Sequence, residues 1–113
     1  MKISTSKKEL QVALQKLSKA TPTRSTLPIL SSVLFSVREE GTILRTTDLE
    51  ITIIVNLPVS LETAGSVAIP LQTLLDVTNE LPDEARITLT ADENNRVKMV
   101  TEGGSYDIMG KPA

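Results

Sequence analysis

Several chemically active residue types are missing from this chain of 113 residues, which has no cysteine, no histidine and no tryptophan. Without cysteine there is no disulfide, no thiolate nucleophile and no zinc–thiolate site. Without histidine there is no Ser-His-Asp triad and no imidazole general base. One Phe and one Tyr are too few to form a platform on which the bases of single-stranded nucleic acid stack. These absences make an enzyme the least favoured class of function.

Acidic clusters are the remaining candidates for a chemical site. A metal would need oxygen ligands alone, and Glu39-Glu40 and Asp92-Glu93 could supply them. Both pairs lie beside turn residues, so we interpret them as solvated turn acids and predict no metal and no cofactor. Asp48 and Glu50 could form an acid/base pair, but no supporting general acid, oxyanion donors or glycine-rich phosphate loop accompany them. We interpret Asp48 as a turn cap and Glu50 as exposed.

Long apolar runs are also missing. None approaches the roughly 18 residues that cross a membrane, and the N-terminus lacks the apolar region of a signal peptide. We therefore expect a cytoplasmic protein without membrane contact. The length predicts one domain, residues 1–113, and 40% apolar with 23% charged residues is typical of a folded globular chain. A net charge of −2 attracts no DNA overall, so nucleic-acid binding would need a local basic patch.

The first half of the chain predicts a strand, a helix and three further strands. Ser6 is the expected N-cap of the helix, with Glu9 at the capping-box spacing. The apolar stripe of this helix, at i, i+3, i+4 and i+7, consists of Leu10, Ala13, Leu14 and Leu17. The predicted strands are 2–5, 27–37, 42–47 and 49–57.

The second half repeats this order. Pro70 opens a second helix that ends at Leu81-Pro82, and its predicted strands are 65–69, 85–91, 96–101 and 105–109. Both halves therefore follow the pattern β-α-β-β-β, which indicates a structural duplication, the alternative being a coincidence of element order. The predicted fold class is α+β, with two helices packed side by side on antiparallel sheets.

The two predicted helices differ in charge. Opposite its apolar stripe, the first helix carries Lys8, Gln11, Val12, Gln15, Lys16 and Lys19. Arg24 follows in a loop between Pro22 and Pro28, which reduces the conformational freedom of the backbone that holds it. This surface is either a basic patch for sequence-independent phosphate contacts or an ordinary solvated lysine face. Nothing on the second helix attracts phosphate, since its exposed positions are Gln72, Thr73, Asp76, Asn79 and Glu80.

Six short segments carry a family resemblance. They are Met1-Lys2-Ile3, Lys8-Glu9-Leu10, Pro22-Thr23-Arg24-Ser25-Thr26-Leu27-Pro28-Ile29-Leu30, Thr47-Asp48-Leu49-Glu50-Ile51, Val67-Ala68-Ile69-Pro70 and Leu81-Pro82. In this order, and over nearly the whole chain, they resemble the bacterial DNA polymerase III beta subunit, the sliding clamp. The similarity is to the first of the three domains of that family.

The resemblance implies a ring of two subunits, each with three similar domains, closed head to tail around duplex DNA. Each domain of the family holds two β-α-β-β-β units, and the helices line the hole. The clamp is not an enzyme and uses no cofactor; it tethers the polymerase topologically. The implied partners are double-stranded DNA, a second clamp subunit, and DNA polymerase III and the clamp loader, which bind domains absent from this chain.

The resemblance implies DNA-binding roles for individual residues. Arg24 matches the DNA-contacting arginine of the family, while Lys8, Lys16 and Lys19 join it as DNA-binding candidates from helix geometry. Gln72 occupies the position of a second family arginine, which implies a weaker DNA contact there.

The last strand corresponds to the family's subunit interface. Tyr106 and Ile108 match its apolar contacts and Arg96 is retained, whereas Gly103 and Ser105 replace residues that are basic in some members. We therefore expect an interface that depends on burial and on strand pairing rather than on ion pairs.

Residues 110–113 match the linker into the family's second domain, so we expect a fragment or a single-domain chain. The competing interpretation is a β-rich interaction module, which would bind another protein through its exposed edge strand without DNA.

Overall fold

Strands dominate the part of the chain that this computed structural model describes, residues 1–20, 32–47 and 51–112. Two α-helices and one short 3-10 helix, Ser18–Ala20, accompany them within these ranges. In chain order the elements are β1 Lys2–Ser6, α1 Lys7–Leu17, β2 Ser32–Arg38, β3 Gly41–Thr47, β4 Thr52–Leu57, β5 Ser60–Thr63, β6 Gly65–Pro70, α2 Leu71–Glu80, β7 Arg86–Ala91, β8 Arg96–Thr101 and β9 Gly104–Met109. The predicted β-α-β-β-β order is confirmed in both halves. Residues 27–31 and 49–50 of the predicted strands lie outside the described residues.

The strands form two antiparallel sheets that exchange one strand between the halves of the chain. One sheet has the order β5-β1-β7-β8-β9 and the other the order β4-β3-β2-β6. The first strand of each half thus pairs with strands of the opposite half, because β1 lies beside β7 and β6 lies beside β2. Each of the two sheets therefore contains backbone hydrogen bonds between the two halves of the chain.

The strand registers show that the duplication extends to individual residue pairs. Ser4 of β1 faces Thr88 in one sheet, and Ala68 of β6 faces Leu34 in the other. On its other side Ser4 pairs with Ser60 of β5, while Ala68 forms an isolated bridge with Lys111. The chain that follows β9 thus returns to β6 as the chain that follows β4 returns to β1. The duplication is in register as well as in element order.

Strand β5 was absent from the sequence prediction. It has only four residues, and just one of them, Leu61, has a partly buried side chain. A four-residue strand with one apolar contact lacks the alternation by which strands are recognised in a sequence. It is stabilised by backbone pairing with β1 rather than by its own apolar pattern.

The core lies where the helices pack against the sheets. The predicted stripe of α1 is confirmed, since Leu10, Leu14 and Leu17 are fully buried. Helix α1 packs against β4 and against α2, while α2 packs against β6. The N-cap prediction is also confirmed, because the Ser6 Oγ accepts a hydrogen bond from the Glu9 backbone N–H at 3.2 Å. The helices therefore lie side by side, with their polar faces turned away from the core.

Candidate nucleic-acid interface and sheet edges

The outward face of α1 carries the predicted cations. Lys8, Lys16 and Lys19 are all exposed, with Lys19 in the 3-10 turn directly after the helix. None of the three forms an ion pair with a carboxylate of the described residues. The structure thus brings three lysines to one solvent face of the first half, where their charges are available to an anionic partner.

Arg24, Asp48 and Glu50 lie outside the described residues. The assignment of Arg24 to the lysine face therefore remains a prediction. Lys19 is the last cation before residue 21, where the undescribed stretch that contains Arg24 begins.

The outward face of α2 is not basic. Gln72 is exposed, but its Nε2 donates a hydrogen bond to Asp76 Oδ1 at 2.8 Å on the same helix. A phosphate that approached Gln72 would meet the negative charge of the Asp76 carboxylate that this amide binds. Glu80 adds a second exposed carboxylate at the end of the helix. The electrostatics of α2 therefore oppose phosphate binding, as its sequence indicated.

A polar contact joins the two helices into one surface. Gln11 Nε2 of α1 donates a hydrogen bond to Asn79 Oδ1 of α2 at 2.7 Å. The two helix faces form a continuous polar layer that is basic on the α1 side and acidic on the α2 side. A polyanion on this layer would lie closer to α1.

The burial of Lys7 was not predicted from the sequence. Lys7 is only 4% exposed, and its Nζ lies 3.0 Å from Asp83 Oδ1 in the loop that follows α2. Its hydrogen bond and charge lower the pKa of Asp83, an effect that Lys8 strengthens and desolvation opposes. The backbone N–H of Lys7 also donates to the Ala85 carbonyl at 2.9 Å.

The helical periodicity of the sequence could have indicated that Lys7 is buried. Lys7 lies three residues before Leu10 and seven before Leu14, on the apolar stripe. It connects the start of α1 to the α2–β7 loop, so its ammonium group is unavailable for phosphate.

The interface candidates lie on the edge strand β9 and its neighbour β8. Tyr106 is half-buried and packs against the core, and Ile108 is 6% exposed and belongs to the core itself. Arg96 is exposed and pairs in register with Met109. The side chain of Ile108 thus already contacts its own domain, whereas Met109, which was not singled out from the sequence, is 61% exposed on the opposite face of β9. The alternation of β9 could have indicated this exposure.

The acidic pairs that the sequence analysis assigned to turns lie in turns. Asp92 Oδ1 accepts hydrogen bonds from the backbone N–H groups of Asn94 at 2.8 Å and Arg96 at 2.9 Å. Glu39 and Glu40 are exposed in the β2–β3 turn. Within the described ranges no group of three acidic residues is arranged to hold a metal ion. No helix in the same ranges has the length and apolar character that a membrane crossing requires.

Comparison with known proteins identifies this duplicated α+β domain with the clamp class of replication proteins. The family model described as DNA polymerase III beta subunit, N-terminal domain, matches residues 1–108. The chain belongs to this family, the bacterial beta sliding clamps. An interaction module unrelated to clamps is therefore not favoured.

Similarity to individual proteins supports the same family assignment. The chain is 33% identical to a beta sliding clamp of Vibrio harveyi, covering 100% of this chain and 78% of that sequence. It is 32% identical to the beta sliding clamp of Vibrio cholerae, covering 100% of this chain but 31% of the relative. A crystal structure of a sliding clamp from Bartonella birtlesii, bound to griselimycin, superposes with a TM-score of 0.93 at 28% identity, over 99% of this chain and 30% of that one. The chain thus spans about a third of the two longer proteins.

Proposed function

We propose that this chain serves as the N-terminal domain of a ring-shaped sliding clamp that encircles duplex DNA and tethers the replicative polymerase without catalysis. The observation that carries the proposal is the exposed lysine face of α1, which has no ion-pair partner among the described residues and lies on a fold of the clamp family. The family membership supports a cytoplasmic site of action during DNA replication.

The charge distribution suits weak and mobile DNA contact. Lys8, Lys16 and Lys19 can each approach a backbone phosphate, and such contacts carry no sequence information. The exposed carboxylates of α2 keep the helix layer from becoming strongly basic. Retention on DNA then depends on the closed ring, and weak contacts leave the ring free to slide.

The DNA-facing set in this proposal comprises Arg24, Lys8, Lys16, Lys19 and Gln72. Arg24 adds a guanidinium beyond the end of α1. Gln72 contributes only a neutral amide, which Asp76 holds in the free domain. DNA contact by this domain therefore depends on its first half.

The second subunit would contact the β9 edge. Arg96, Tyr106 and Ile108 are the proposed interface residues, and the backbone of an edge strand can pair with a strand of the partner. Because Ile108 packs inward, its contribution would be to fix the position of β9 rather than to insert into the partner. DNA polymerase III and the clamp loader would bind domains that lie outside this chain.

Loading of the intact clamp subunit onto primed circular DNA tests the DNA contact. Simultaneous Lys8→Ala, Lys16→Ala and Lys19→Ala substitutions should lower the efficiency of loading at about 50 mM salt and flatten the fall of that efficiency with rising salt. Each lost phosphate contact removes roughly 0.9 from the slope of log binding against log salt.

The matched control is Lys98→Ala. Lys98 is exposed on β8 between the buried residues Val97 and Met99, so it points away from the core-facing side of its sheet. This variant should load as the unmodified clamp does. If the triple variant and the control give the same loading across the salt series, the assignment of DNA contact to α1 is wrong.

A further inference from the structure

The four-stranded sheet has apolar side chains on the face that it turns away from the core. Along β3, Leu44 is buried, whereas Ile43 and Arg45 on either side of it are exposed. In register with Arg45 are Leu34 of β2, which is partly exposed, and Ile54 of β4. Ile43 is 38% exposed and Ile54 is 55% exposed. We call these four residues, Leu34, Ile43, Arg45 and Ile54, the outer β3 patch.

The side chains of the outer β3 patch are neighbours. Leu34 and Ile54 lie on the two strands that flank β3, each roughly 5 Å from Arg45, because this is the spacing between paired strands. Ile43 lies two residues before Arg45 on the same face of β3, about 7 Å away. Single exposed apolar residues are ordinary, whereas contiguous apolar patches are typical of interaction surfaces. The patch is thus a contiguous apolar surface with one charge in it.

The repeat shows that the fold does not require apolar side chains at these positions. The strand registers give each patch residue a counterpart on the outer face of the five-stranded sheet. The counterparts of the three apolar patch residues are polar, and in the order Leu34, Ile43, Ile54 they are Thr88, Lys98 and Ser105. The counterpart of Arg45 is Val100, so that face has one apolar side chain among polar ones, the reverse of the patch. A partner that covers the patch accounts for this difference.

The charge on this face is of one sign. The four strands of the sheet contain two arginines, Arg38 and Arg45, and no aspartate or glutamate. Arg45 forms no ion pair with a described residue. A planar guanidinium favours a carboxylate, which it can bind through two parallel hydrogen bonds. The complementary surface therefore consists of a carboxylate bordered by apolar side chains.

The outer β3 patch faces away from the helices. Val55, which follows Ile54 on β4, lines a groove together with Val12 and Ala13 of α1. Successive side chains of a strand point to opposite faces of the sheet, so Ile54 lies on the face opposite α1. A partner bound to the patch would therefore leave the exposed lysines of α1 accessible.

We propose that the outer β3 patch is a docking site for an acidic, apolar segment of a partner protein. The segment places an Asp or Glu side chain against Arg45 and apolar side chains against Leu34, Ile43 and Ile54. The inference goes beyond the proposed function and does not depend on it, because the lysines assigned to DNA lie on the other side of the sheet. An anionic membrane is not favoured, since its recognition takes clusters of about four to eight basic residues.

NMR titration of the isotope-labelled chain tests the proposal. The probe is the acetylated and amidated peptide Gly-Ile-Gly-Glu-Gly-Ile-Gly, whose Glu and two Ile side chains share one face when the backbone is extended. Saturable amide shifts are expected at the patch, with a Kd of about 1 mM because the contact is small. Two control peptides replace the Glu by Lys or both Ile by Ser. Each should bind about three- to tenfold more weakly.

Variants of the patch separate the charge from the apolar contact. Arg45→Glu should weaken binding of the Glu peptide about three- to tenfold and favour the Lys peptide instead. The triple variant Leu34→Thr, Ile43→Lys and Ile54→Ser carries the side chains of the other sheet and should show no saturable binding up to about 10 mM peptide. Val100→Ser, at the counterpart of Arg45, is the matched control and should bind the Glu peptide as the unmodified chain does. Thermal unfolding of every variant establishes that it is folded.

Four results would overturn the proposal. They are the absence of saturable shifts up to about 10 mM peptide, equal binding of the Glu and Lys peptides, shifts centred on the five-stranded sheet, and an Arg45→Glu variant that still prefers the Glu peptide.

Two other occupants have their own signatures, and either would also overturn the proposal. Co-sedimentation with phosphatidylglycerol vesicles that Arg45→Glu abolishes, without peptide binding, would indicate a lipid surface. Patch shifts that grow with protein concentration in the absence of peptide would indicate a second copy of the chain. No DNA is present in these experiments, so their failure is distinct from a failure of the clamp function tested by loading.

Discussion

Replacement of Thr42 by Val should stabilise the domain. Thr42 is 3% exposed on β3, and its Oγ1 is the buried side-chain oxygen or nitrogen that lacks a hydrogen-bond partner among the described residues. A buried hydroxyl without a partner costs about 1–3 kcal/mol of folding free energy. The repeat shows that a valine fits this position, because the counterpart of Thr42 in the second half is Val97, which is 1% exposed.

The expected gain is about 1–2 kcal/mol, since the substitution removes the unpaired hydroxyl and buries a methyl group in its place. Thermal unfolding followed by circular dichroism should show a rise in Tm of about 4 °C per kcal/mol. Urea unfolding should show a higher midpoint with an unchanged m-value, which indicates that the native state and not the compactness of the unfolded chain has changed.

Thr46 provides the matched control on the same strand. It is equally buried, but its Oγ1 donates a hydrogen bond to the Leu17 carbonyl at 3.1 Å. Thr46→Val loses this bond and should destabilise the domain by about 1 kcal/mol. Val97→Thr should likewise destabilise, because it introduces a buried hydroxyl at the equivalent position. If Thr42→Val and Thr46→Val shift the midpoint in the same direction, the argument from hydrogen-bond satisfaction is refuted.

Three further expectations can be measured by the same unfolding experiments. Leu14→Ala, at a fully buried position of α1, should cost about 2–5 kcal/mol, and a loss under 1 kcal/mol would contradict its place in the core. Ser6→Ala removes the N-cap of α1 and should cost about 0.5–2 kcal/mol, whereas Ser6→Asp should retain most of the stability. Asp83→Asn tests the pair with Lys7: because the folded-state pKa of Asp83 is depressed, its contribution is present above about pH 4 and is lost as the pH falls through the folded pKa. The variant should therefore lower the urea midpoint at pH 7 and progressively less as the pH falls below about 4, and a loss that is independent of pH would exclude an electrostatic cause.

Most of the secondary structure could be predicted because it depends on interactions between residues that are close in the sequence. The i, i+3, i+4, i+7 stripe of α1, the Ser6 cap and the Pro70 helix start all depend on interactions within one or two turns. The four predicted strands of the second half match β6, β7, β8 and β9 to within one residue for the same reason. β5 was missed because its pairing with β1 depends on a strand more than fifty residues earlier in the chain, and its own residues alternate poorly.

In the candidate site, too, features that depend on one segment were predicted and features that depend on distant contacts were not. Helical geometry placed Lys8 and Lys16 on the exposed face of α1 and Lys19 just beyond its end, because exposure on an amphipathic helix follows from the period alone. The burial of Lys7 depends on Asp83, which lies 76 residues away in the chain. The inward packing of Ile108 depends on the core beneath β9. Contacts of this kind cannot be obtained from one segment.

The amino-acid sequence by itself determined the element order, the duplication, the basic face of α1 and the absence of thiol and imidazole chemistry. These features depend on composition and on short-range periodicity, which a chain carries before it folds. Only the tertiary structure decided that β1 and β6 change places between the halves, that Lys7 is buried against Asp83, and that Ile108 packs into the core of its own domain. Those features arise when distant residues meet, because pairing and burial are set by the packing of the whole domain.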